Sequence, residues 1–400
     1  MTPDFDLAPG FRAAAFACGL KPNGALDLAL VSADRPCAAA GVFTTNRVKA
    51  APVHYDQEVL AANPGGVRAV IANAGCANAC TGEPGLADTR QMAALTARAL
   101  DCRPSQVMVL STGVIGRRLD MEKLGRGIAA IASAAAVPGA AAAAQAILTT
   151  DTRPKTTAVD LAAAGRQIAI RGFAKGAGMI HPNLATMLAV LTTNAELAPT
   201  ALQAALRAAV ARSFNRVSVD GDMSTNDTVL LLASGVSGAT LDDAGAAAFA
   251  AALTDACTSL AKQIARDGEG ATRLVEISVT GARDEGEAHA VADSIARSPL
   301  VKTAIHGGDP NWGRVLAAAG HSGAAIDPDR MTLSFGAPGE ALRLVSDGLP
   351  AAYDEHAASA LLRRDPVLVH LDLGLGCGQA TAWTCDLSAE YVAINAHYTT

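Results

Sequence analysis

Short apolar runs bounded by turn residues alternate along this chain with amphipathic stretches, the pattern of an α/β protein. The runs at 67–72, 107–110, 187–191, 229–232, 274–279 and 367–371 predict strands. Helical spacing of apolar residues predicts helices over 88–100, 200–214 and Asp243–Arg266. Pro199 stands where a helix accepts a residue without an N–H, and Gly268 follows the third helix as a stop. On that third helix Phe249, Leu253, Cys257, Leu260 and Ile264 form one apolar stripe, so Cys257 is expected in the core. The polar, charged segment 281–287 is the candidate boundary between a larger unit, 1–280, and a smaller C-terminal unit, 281–400.

Composition narrows this picture. A chain of 400 residues is long enough for two or three packed domains. Half of the residues are hydrophobic but only 4% are aromatic, which predicts a core of small aliphatic side chains in close packing. The net charge of -6, without a long basic run, argues against nucleic acid as a partner. The start, Met1-Thr2-Pro3-Asp4-Phe5-Asp6, is acidic where an export signal would be basic, so a cytoplasmic protein with reduced thiols is expected. The longest uncharged stretch, 127–148, is alanine-rich and broken by Pro138-Gly139; it predicts two short packed helices joined by a turn rather than a membrane span. Cys76 and Cys80 lack the second pair that zinc needs, and the histidines show no paired spacing, so no metal site is predicted. Gly374-Leu375-Gly376-Cys377-Gly378 has no crossover helix after it and reads as a turn between strands; Asp220-Gly221-Asp222 lacks the rest of a calcium loop.

The densest chemical information lies in the segment 175–188, KGAGMIHPNLATML. Gly176 and Gly178 permit backbone conformations closed to other residues, while Pro182 fixes its own φ and pushes His181 toward an extended form. The apolar strand that follows sets Thr186 at a strand mouth after a tight loop. Attack of the Thr186 hydroxyl on the Ala185 carbonyl, then hydrolysis of the ester, would break the Ala185–Thr186 bond and free the Thr186 α-amine. With a reference pKa of about 8, that amine can serve as general base for its own hydroxyl near neutral pH. Loop chemistry alone leaves a plain Gly/Pro loop leading into a strand as the alternative.

The run 175–188 closely resembles the processing and active-site signature of the ornithine acetyltransferases, the bifunctional ArgJ type of arginine biosynthesis. VIANAGCANACTG (70–82), STGVIG (111–116), SVDGDMSTNDT (218–228), DGEGAT (267–272), DPNWGR (309–314) and INAHYTT (394–400) are similar to the same family, in order and over essentially the whole chain. The resemblance implies a two-domain α/β sandwich and a ping-pong transfer of acetyl from N2-acetylornithine to glutamate through an acetyl-threonine at Thr186. It implies Thr112 and Gly113 as oxyanion hole, and Thr152, Lys175, Thr186, Glu269, Asn395 and Thr400 as substrate-binding residues. Lys175 would face a carboxylate and Glu269 an ammonium. It also implies an α2β2 assembly of the two fragments and no cofactor, with acetyl-coenzyme A as a further donor in some members. The rival chemistry is an N-terminal-nucleophile aminopeptidase or amidase, which hands the acyl group to water.

Overall fold

The computed structural model describes residues 5–133, 136–181 and 187–397. The first sheet holds β1 (Phe11–Phe16), β2 (Leu28–Phe43), β3 (Val67–Cys76), β4 (Val107–Val114), β5 (Val137–Pro138), β6 (Lys155–Ala163), β7 (Arg166–Lys175), β8 (Leu188–Thr193) and β9 (Thr228–Ala233). Its main path runs β4-β3-β2-β9-β8-β7-β6, with β1 paired to β2 and to β5. The second sheet holds β10 (Leu274–Ala282), β11 (Thr332–Ala337), β12 (Glu340–Ser346), β13 (Leu349–Pro350), β14 (Val367–Asp372) and β15 (Gly378–Cys385), in the order β13-β12-β11-β14-β10-β15. The helices are α1 (Ala51–Ala62), α2 (Gly82–Ala99), α3 (Met121–Ile131), α4 (Ala140–Ala146), α5 (Pro199–Arg212), α6 (Asp243–Arg266), α7 (Glu285–Arg297), α8 (Pro299–Gly307), α9 (Trp312–Gly320), α10 (Glu355–Leu362) and α11 (Ala389–His397).

β8 and β9 are buried throughout and mostly apolar because both of their faces are covered. Successive side chains point to opposite sides. Leu188, Val190, Leu230 and Leu232 therefore join one core with β1–β4 and α2–α4, whereas Ala189, Leu191, Val229 and Leu231 join a second core with α5 and α6. That second core also takes in Trp383 and Cys385 of β15, so the α5–α6 layer lies between the two sheets. A third core fills the opposite face of the second sheet under α7, α8 and α9.

Each predicted strand and helix falls on an observed element, and α6 has the bounds expected of it. Cys257 is fully buried on the α6 stripe. α6 is also long and apolar enough to cross a membrane by length and composition, but its stripe is spent on the core between the sheets. Pro138-Gly139 does separate two helices, α3 and α4, though Val137–Pro138 also adds a short strand beside β1. The 281–287 segment runs from the end of β10 into α7 within the second sheet's own layer, and its Asp284 accepts the Glu287 N–H as an N-cap. The glycine-rich stretch at 374–378 links β14 to β15, with Leu375 N and Gly376 N bonded to Gly281 O.

Candidate active site

Strand pairing brings Thr112, Gly113 and Lys175 together. In the parallel β3–β4 ladder Ala74 faces Thr112 and Gly75 faces Gly113 at the ends of both strands. Gly113 has φ +128, and a Cβ there would lie 2.4 Å from the Gly75 carbonyl carbon, so only glycine fits. In the antiparallel β7–β8 ladder Lys175 faces Leu188. The Lys175 ammonium reaches back to donate to Thr112 Oγ1 at 3.3 Å. The cleft over these strand ends is lined by Thr112, Gly113, Lys175, Glu269, Tyr391 and Asn395, among others.

Beneath the cleft, charges are buried together. Asp151 has no exposed side-chain surface and lies 2.5 Å from Lys155 Nζ and 3.9 Å from Lys175 Nζ, while also accepting the Gly176 N–H at 2.6 Å. Burial by itself would raise the Asp151 carboxyl, but the Lys175 and Lys155 ammonium groups and the Gly176 N–H overcome it and hold it at about 2. Lys155 also pairs with Asp267. Burial pulls the Lys175 ammonium below its ordinary value, and Asp151 offsets part of that. Lys175 is thus a desolvated cation at the cleft, held by a carboxylate behind it.

Glu269 faces the same cleft from the turn after α6, and Asn395 Nδ2 donates to its Oε2 at 2.8 Å. Gly178 leaves room for this carboxylate; a Cβ there would come within 2.4 Å of Glu269 Oε2. The expected cation and anion therefore share one cavity. Thr152 sits differently. Its hydroxyl donates to Asp267 and its N–H to Asp267 Oδ2 at 3.1 Å, and the neighbouring Thr149 and Thr150 line the cleft instead. Ala185, Thr186 and Thr400 lie outside the described residues.

Several contributors escaped the sequence reading. Asp220 accepts Met179 N at 2.6 Å, Ile180 N at 2.8 Å and Tyr391 OH at 3.3 Å, so it pins the loop ahead of 182–186 to α11. Burial raises its carboxyl against those N–H donors. The declined calcium-like pair Asp220 and Asp222 both line the cleft. Asp227 is fully buried, accepts Met187 N at 2.9 Å through Oδ1, and is raised well above the ordinary carboxylate value by burial. Their only sequence signal was the stretch 218–228, whose likeness to the family carried no role for either residue.

The model of the ArgJ family matches residues 12–400. The chain is 50% identical over 396 residues to the arginine biosynthesis bifunctional protein ArgJ of Symbiobacterium thermophilum, covering 98% of this chain and 97% of that one. It is 48% identical over 391 residues to the protein of the same description from Parasynechococcus marenigrum, covering 98% and 94%. Among solved structures it is similar to the arginine biosynthesis bifunctional protein argJ of Bacillus halodurans, with 44% identity and a TM-score of 0.50, over 52% of this chain and 97% of that chain.

Removing Asp151 isolates Lys175 in a desolvated site, although Lys155 retains Asp267. Asp151→Ala is expected to cost about 3–5 kcal/mol in denaturant unfolding at neutral pH. Because the folded-state value lies below the unfolded one of about 3.9, the part of this contribution that depends on ionisation is complete above that pH and is lost as pH falls through about 2. The gap between parent and variant should narrow over that window; a gap of the same size at pH 2 and pH 7 would contradict the role given to Asp151.

Proposed function

The chain belongs to the ArgJ family, and from that premise we propose that it moves an acetyl group from N2-acetylornithine to glutamate through an acetylated Thr186 freed by self-cleavage at Ala185–Thr186. It is an enzyme of arginine biosynthesis, a glutamate N-acetyltransferase. The observation that carries the finer reading is the pairing of a desolvated Lys175 ammonium and the Glu269 carboxylate in one cleft, beside the Thr112–Gly113 strand end.

The Thr186 hydroxyl adds to the Ala185 carbonyl and the peptide C–N bond breaks, leaving an ester on Oγ and a free α-amine; water then hydrolyses the ester. In turnover the Thr186 Oγ adds to the acetyl carbonyl of N2-acetylornithine while its own α-amine takes the hydroxyl proton. Thr112 and Gly113 stabilise the oxyanion, a contribution of about 10²–10³ in rate for one donor. The intermediate collapses with return of a proton to the leaving nitrogen, releasing ornithine and leaving acetyl on Oγ. The α-amine of glutamate attacks that ester, the Oγ–acyl bond breaks, the extra proton passes through the Thr186 α-amine to Oγ, and N-acetylglutamate departs.

Lys175 receives a substrate carboxylate, and Glu269, oriented by Asn395, receives the side-chain ammonium of the donor. Thr152 and Thr400 belong to the same substrate site in this reading, Thr152 through the backbone that carries Thr149 and Thr150 into the cleft. No cofactor takes part. The word bifunctional in the relatives' description supports acetyl-coenzyme A as a second donor. The fragments 1–185 and 186–400 stay together as an α2β2 enzyme of the cytoplasm. The half-length match to the solved Bacillus halodurans chain agrees with a polypeptide of one fragment's size.

Denaturing electrophoresis of the fresh protein should show two fragments, and Thr186→Ala a single uncut, inactive chain; cleavage of that variant at the same bond would sink the mechanism. Acetyl release from N2-acetylornithine should require glutamate, and steady release to water without it would favour the hydrolase. Gly178→Ala should displace the flexible end of Glu269 rather than the backbone. It is expected to raise KM for N2-acetylornithine about tenfold, the weight of one charged hydrogen bond, with little change in Tm.

A further inference from the structure

Three consecutive residues at the mouth of β9 hold both strands on which the proposed chemistry depends. Asn226 Nδ2 donates to the Ser111 carbonyl at 2.8 Å and to the Ala77 carbonyl at 2.7 Å. Ser111 immediately precedes the Thr112–Gly113 pair, and Ala77 closes the turn beside it. Asp227 Oδ1 accepts the Met187 N–H at 2.9 Å, and the Thr228 N–H donates to the Met187 carbonyl at 3.1 Å. Both backbone polar groups of the residue that follows Thr186 are therefore fixed by residues 227 and 228.

The tripeptide is itself anchored. The Asp227 carbonyl accepts the Thr44 N–H at 2.9 Å, Asn226 Oδ1 accepts from Thr225 Oγ1 at 2.6 Å, and Asn226 N donates to Ser224 Oγ at 3.1 Å. Asn226 is 6% exposed and Asp227 fully buried. Asp227 Oδ2 has no hydrogen-bond partner among the described residues. Full burial of a carboxyl costs stability, which marks Asp227 as retained for what its Oδ1 holds.

We propose that Asn226 and Asp227 are positioning residues: a clamp that sets the backbone next to the nucleophile in register with the oxyanion strand. The inference rests on the reading of Thr186 as nucleophile. A displacement of about 1 Å between reacting groups can cost on the order of 10² in rate, so a two-residue clamp joining the strands is where such precision would be built.

The test uses the full chain with Asp227→Ala, Asp227→Asn and Asn226→Ala, following cleavage by intact mass, kcat and KM for N2-acetylornithine, and deuterium uptake of the peptide 187–193. Asp227→Ala should slow cleavage at least tenfold and raise deuterium uptake over 187–193. Asp227→Asn keeps an acceptor for the Met187 N–H and should recover at least tenfold of any larger loss. Asn226→Ala should lower kcat tenfold to a hundredfold with KM changed less than threefold. The clamp is overturned if Asp227→Ala cleaves and turns over at the parent's rate, if Asp227→Asn is as defective as alanine, or if Asn226→Ala raises KM and spares kcat, the mark of a substrate contact. Should the parent itself neither cleave nor transfer acetyl, the functional reading fails. Deuterium uptake then judges the clamp alone, and unchanged uptake over 187–193 in Asp227→Ala overturns it.

Discussion

The site depends on one carboxylate. Asp151 is buried among two lysines and a backbone N–H, and its ionised form is what allows Lys175 to stay desolvated where β7 ends. A lone ammonium in that position would give up its proton or drag water into the core. Asp267 shares Lys155 with it, and Thr152 is turned toward Asp267, so the 149–155 segment and the turn after α6 are locked by the same charges. Thr149, Thr150 and Glu269 reach the cleft because those two segments are held together. Cleft lining and core electrostatics are one network.

The apolar surroundings make that network possible. β8 and β9 are covered on both faces, and alanine supplies much of the packing surface, so strands and helices approach closely and leave little room for water. In such a setting charge–charge and charge–dipole interactions act at low screening. The small side chains that look featureless in composition are what give a few polar groups their leverage.

Much of the architecture was legible because it follows from periodicity. Continuous apolar runs marked the doubly covered strands, and the stripe on α6 marked its core face. β2 was not legible, because Asp34-Arg35-Pro36 interrupts it; the ladder with β3 shifts register between Ser32 and Cys37, and the strand continues through the interruption to a new partner, β9. Lys175, Glu269, Thr112 and Asn395 were legible only through family likeness, since alone each reads as an ordinary surface or turn residue. Asp151, Asn226 and Asp227 were missed for a physical reason. Their significance is burial and long-range pairing, Asn226 to Ser111 and Asp151 to Lys175, and no local pattern distinguishes such a residue from a solvated one.

The wall formed by α11 has a consequence in time. Tyr391 reaches Asp220 and Asn395 reaches Glu269, so the cavity gathers residues from Ala77 to Asn395. The first sheet on its own supplies Thr112, Gly113 and Lys175 to the cleft but not Glu269, Tyr391 or Asn395. The cleft lining is therefore complete only once the chain has been made through Asn395.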